Sequence, residues 1–77
     1  MYLDEAVRFR LKDLMQEKGF TPYKLYREGG IPRATVSQVL SGKNGKIKVE
    51  TLYQFVATRG MTLGEFFTDP IFEEIAD

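Results

Sequence analysis

The residues best suited to chemistry in this chain lie between positions 33 and 41: Arg33, Ala34, Ser37, Gln38 and Ser41. At roughly 100° per residue they share one side of a helix, while Val36, Val39 and Leu40 fall within about one third of the circumference on the other. The polar side offers a guanidinium, an amide, two hydroxyls and a methyl, and no carboxylate. Such groups read base edges in a DNA major groove. Arg pairs with guanine O6 and N7, Gln with adenine N6 and N7, and a small apolar group meets the thymine methyl. An ordinary solvated helix face is polar too, so the surroundings must decide between reader and bystander. Thr35 sits at the edge of this face, where it either reaches a phosphate or simply packs.

The surrounding residues punctuate two short helices. Thr21 is suited to cap the first, and Pro22 to its first position, where a missing N–H costs nothing. Gly29-Gly30 ends that helix, Pro32 opens the second with its φ already set, and Gly42 closes it. Residues 21–42 therefore read as a tight helix-turn-helix, with the polar face on its second helix, about Pro32 to Ser41. Lysines follow directly, at 43, 46 and 48, around an Asn44-Gly45 turn. No alternating strand pattern flanks that turn, so it reads as a loop, either solvated or meeting phosphates. Phosphate contacts supply affinity and fix register without reading sequence. Thr21, Tyr23, Thr35, Lys43, Asn44 and Lys46 are the candidates for the backbone; Arg33, Ala34, Ser37, Gln38 and Ser41 are those for bases.

Here the sequence resembles a known family. The stretches RLKDLMQEKGFTPYKL, GIPRATVSQVLSGK and ETLYQFVATRGMTLGEFF, covering roughly residues 7 to 67, are similar to the lambda-repressor-like (Cro/repressor, Xre-type) helix-turn-helix family. The resemblance implies an all-α, compact five-helix domain that sets its third helix in the DNA major groove, usually as a dimer. Three departures stand out. Pro22 occupies a position where the family often has a Gln that touches the DNA backbone. Tyr26 replaces a small residue near the helix crossing, so its ring must turn outward or push the helices apart. The loop after Gly42 is one residue longer than the commoner spacing.

Composition narrows the function classes. Seventy-seven residues suffice for one domain with a small core, expected to span 1–77 and to gain from dimerisation. Without cysteine there is no disulfide, thiolate metal site or thiol nucleophile; without histidine the usual general base and commonest metal ligand are missing. No catalytic constellation and no phosphate-cradling glycine motif occurs, so neither an enzyme nor a cofactor or metal is expected. The first residues lack the apolar run of a signal peptide, and no stretch approaches the ~20 apolar residues of a membrane span; the expected setting is the cytoplasm. Net charge is zero but unevenly spread. Residues 21–48 carry six cations against Glu28, a net +5, and residues 49–77 carry Arg59 against six acids, a net −5. Steering toward a polyanion follows the local field, not the total.

The remaining elements have to position the polar face. A first helix is expected over about Asp4 to Lys18, with Val7, Leu11, Leu14 and Met15 inward and Phe9 as an exposed flank or an intermolecular contact. Phe20, Leu25 and Ile31 should anchor the helix pair. A fourth helix, about Val49 to Thr58, turns Leu52, Phe55 and Val56 inward and ends at Gly60. Thr62 and Glu65 form a capping box for a fifth, with Phe66 and Phe67 closing the core and Asp69-Pro70 stopping it. The tail 70–77 is apolar enough at Ile71, Phe72 and Ile75 to form a short sixth helix, folded back on helix 1 or 5 or lying in a dimer contact. The sequence thus predicts a double-stranded DNA binder and transcriptional regulator, most simply a homodimeric repressor. The alternative is a protein-interaction module of the same fold, an antitoxin-like or anti-repressor partner.

Overall fold

Apolar residues at helical spacing generate every element of the computed structural model, which describes residues 1–43 and 46–76. The elements are α1 (Leu3–Leu14), α2 (Pro22–Arg27), α3 (Arg33–Ser41), α4 (Val49–Arg59) and α5 (Leu63–Phe66), followed by a 3₁₀ helix, Pro70–Glu74. No strand occurs among the described residues. α1 begins where the Glu5 carboxylate turns back to accept the Tyr2 N–H at 2.8 Å, and Asp4 and Glu5 meet the positive end of the helix. Its buried side chains are Ala6, Val7, Leu11 and Leu14.

α1 stops at Leu14, short of the expected Lys18. The Gln16 and Glu17 N–H groups donate to the carbonyls of Asp13 and Leu14, a tighter pattern than the α-helix. This last turn swings the chain so that Phe20 enters the core. Met15 is consequently only half-buried. α2 is short because the chain must reverse within Gly29-Gly30, and Ile31, buried at that turn, clamps α2 to α3.

One hydrophobic cluster joins α1 to α5: Leu11, Leu25, Phe55, Val56 and Phe66 are each fully enclosed. Full burial of a side chain of this size contributes about 1.5–3 kcal/mol. No polar or charged residue among those described is buried. α4 runs one residue further than expected, to Arg59, whose Nε donates to Glu17 Oε2 at 2.9 Å and ties α4 to the turn after α1.

Phe67 does not close the core. It is 41% exposed, because adjacent residues on a helix point about 100° apart and Phe66 takes the inward direction. The Phe67 ring instead stands edge-on to Phe66 and against Phe72. The tail takes the folded-back course, onto α1. Asp69 Oδ1 accepts the Ile71 N–H at 2.9 Å, Arg10 Nη1 reaches Asp69 Oδ2 at 3.3 Å, and the Ala76 N–H donates to the Met1 carbonyl at 3.0 Å. A radius of gyration of 11.8 Å, against about 11.5 Å for a tightly packed chain of this length, fits a tail that is folded in.

Candidate nucleic-acid interface

The helix-turn-helix is set by its caps. Thr21 Oγ1 accepts the Lys24 N–H at 3.3 Å with Pro22 opening α2, and Gly42 leaves α3 at φ 79°. α3 itself begins at Arg33, with Pro32 just outside it in extended backbone. Val36 and Val39 are buried and Leu40 is half-buried, which orients the helix about its axis. Arg33, Ala34, Ser37, Gln38 and Ser41 are consequently all exposed, and α3 carries no acid. This is the face expected from the sequence.

The individual side chains differ in how firmly they are held. The Arg33 guanidinium lies over the Tyr26 ring, 4.8 Å from its centroid. Tyr26 is half-buried, packed against the core with Arg33 over its ring, and α2 and α3 still pack directly. Stacking of this kind, worth about 0.5–1 kcal/mol at an exposed site, restricts Arg33 before any ligand arrives. The Ser41 hydroxyl donates to the Gln38 carbonyl at 3.3 Å and accepts the Lys43 N–H at 3.4 Å, so it also closes the end of α3. Gln38 is engaged within the fold as well as exposed.

Of the backbone candidates, Thr21, Tyr23, Lys43 and Lys46 are exposed and Thr35 is half-buried beside Gln38. Asn44 lies outside the described residues. Thr21 and Tyr23 flank the start of α2, whereas the cations Lys43 and Lys46 both follow the end of α3.

One residue escaped the sequence reading. Arg8 of α1 was given no role there, yet its guanidinium rests against Gly42, at the C-terminal end of α3. α3 has no basic residue in its own last turn, and Arg8 supplies positive charge to that negative end. The available signal was position: Arg8 follows Val7 and precedes Leu11 by three, which puts it at the border of the buried stripe.

Two helices packed through a tight turn, the second with an exposed acid-free polar face, define a helix-turn-helix DNA-binding domain. The sequence matches the Cro/C1-type HTH DNA-binding domain over residues 10–70, and the chain belongs to that family. Membership in a DNA-binding family accords with the absence of catalytic motifs in the sequence. No curated protein and no solved structure matches the chain. No described helix is long and apolar enough to cross a membrane.

Proposed function

We propose that this domain binds double-stranded DNA sequence-specifically and regulates transcription as a repressor, with α3 in the major groove. The exposed, acid-free face of α3 carries this reading, inside a stretch of net charge +5. Arg33 and Gln38 supply most of the discrimination, about 1–3 kcal/mol for each bidentate pair. Ala34, Ser37 and Ser41 add shape and single hydrogen bonds. Thr21, Tyr23, Thr35, Lys43, Asn44 and Lys46 meet the phosphates. The reading treats residues 1–77 as one unit acting in the cytoplasm.

A homodimer is part of this reading. The tail is packed on α1, and among the apolar surface left open is a groove bordered by Tyr2, Leu3, Val49 and Phe67. A second copy covering it would add the burial a small domain lacks; half-sites would then lie about one helical turn apart, near 34–36 Å. A monomer mass by sedimentation at micromolar protein, with and without operator, would exclude the dimer. The rival reading, a protein-interaction module, draws on the same groove.

The test is fluorescence anisotropy of labelled duplexes, random and from the gene's own upstream region, across a salt series. Gln38→Ala should relax base preference, and Lys43→Ala should weaken all duplexes alike and flatten the salt slope by about 0.9. Equal effects on every duplex from both variants would refute the division of labour. No binding at low salt would favour the protein-partner reading.

A further inference from the structure

Arg8 points to a site beyond those residues. A concavity of about 220 Å³ opens between α1, the end of α3 and the start of α4. Arg8, Lys46 and Lys48 line it with Thr35, Gln38 and Thr51, and no acid among the described residues does. Three cations facing one small space repel one another, and the arrangement is relieved when an anion enters. Arg8 adds a second observation. Its Nη1 is buried without a hydrogen-bond partner among the described residues, and Arg8 makes no salt bridge with a described acid. A partly desolvated guanidinium N–H left without an acceptor is costly, and a phosphate oxygen is the acceptor its fork fits best.

We propose that this pocket binds one phosphate group, with Arg8 as its inner cation, Lys46 and Lys48 at its mouth and the Thr35 and Thr51 hydroxyls as donors. Gln38 lies on both the pocket wall and the polar face of α3, so a phosphate held here adjoins the bases that α3 faces. The group is a phosphodiester of the DNA backbone. That source rests on the proposed DNA reading; the affinity of the pocket for an anion does not. Arg8 thereby fixes α3 relative to the backbone from the C-terminal end of that helix.

Two experiments separate the two statements. In the first, inorganic phosphate is titrated into the DNA-free protein at constant ionic strength and followed by NMR. The Arg8 Nε–H and the Thr51 amide should shift saturably in the wild type, with Phe67 as an unmoved reference, and the Thr51 response should vanish in Arg8→Ala. An absent response, or one that survives in Arg8→Ala, overturns the pocket. Thr51→Val, close in shape and lacking only the hydroxyl, should weaken the same titration severalfold while remaining folded. In the second, Arg8→Ala should weaken every duplex alike and reduce the magnitude of the log K against log salt slope by about 0.9. A role confined to supporting the end of α3 would lower thermal stability and leave that slope unchanged, overturning the DNA assignment. Phosphate binding without any DNA binding would overturn the proposed function and leave the anion pocket standing.

Discussion

Gly42 and Gly60 form a matched pair that measures how tightly Arg8 is held. Both follow an α-helix, and both leave it with left-handed backbone, at φ 79° and 84°. An alanine at either position bears the left-handed strain, roughly 1–2 kcal/mol. Beyond that they differ. A Cβ at Gly60 would meet nothing within 4 Å, whereas one at Gly42 would lie 2.9 Å from Arg8 Cζ and Nε. Gly60→Ala should therefore lower stability by the strain alone, a fall in Tm of roughly 4–16 °C for a chain of this size. Gly42→Ala should cost about 1 kcal/mol more, near the lower end of overpacking penalties, because the tip of a long side chain is what must move. Urea unfolding of both variants, alone and combined with Arg8→Ala, measures the difference. The Gly42 excess should disappear when Arg8 is removed, while the Gly60 cost should not change. Equal costs for the two glycines, or an excess that persists without Arg8, would refute the view that the guanidinium is lodged at the end of α3.

Other expectations follow from the packing. Tyr26→Leu keeps an apolar contact between α2 and α3 and removes the ring beneath Arg33; competition binding should show about 0.5–1 kcal/mol less discrimination at the base Arg33 reads, with thermal stability nearly unchanged. Phe66→Ala empties a fully enclosed site at the junction of α5 with the core; a loss of about 3–5 kcal/mol should leave calorimetry with a sharply lowered or absent transition. The Glu65 carboxyl is held below its ordinary value of 4.5, first by the Thr62 backbone N–H, at 2.9 Å, and then by the Thr62 hydroxyl. A depressed carboxyl stabilises the fold above its unfolded-state pKa, and that contribution is lost as pH falls through the lower folded-state value. Glu65→Gln should flatten the acid limb of stability below about pH 4.5 while leaving the protein folded at neutral pH; an unchanged acid limb would remove Glu65 from the account of α5.

What could be read from residues alone was local. Thr21 and Pro22 at the start of α2, Gly42 after α3, and the Thr62–Glu65 box at the start of α5 act through bonds within a few positions of themselves, so their effects survive any arrangement of the helices. Helical spacing likewise oriented α3, because Val36 and Val39 must be buried and the polar residues between them must then face out. Less legible were the ends. α1 stops at Leu14 because Phe20 has to turn into a core built by α4 and α5, and nothing within α1 signals that requirement. The directions of Phe66 and Phe67 could not be told apart before the position of α4 was known.

The sequence by itself determined the helices, their caps, the exposed face of α3 and the concentration of positive charge around it. Only the tertiary structure decided that Tyr26 lies under Arg33, that the tail packs on α1, and that Arg8 reaches the end of α3. Helix spacing and capping depend on neighbours along the chain. These contacts depend on how helices distant in sequence cross, which the burial of the whole core settles at once.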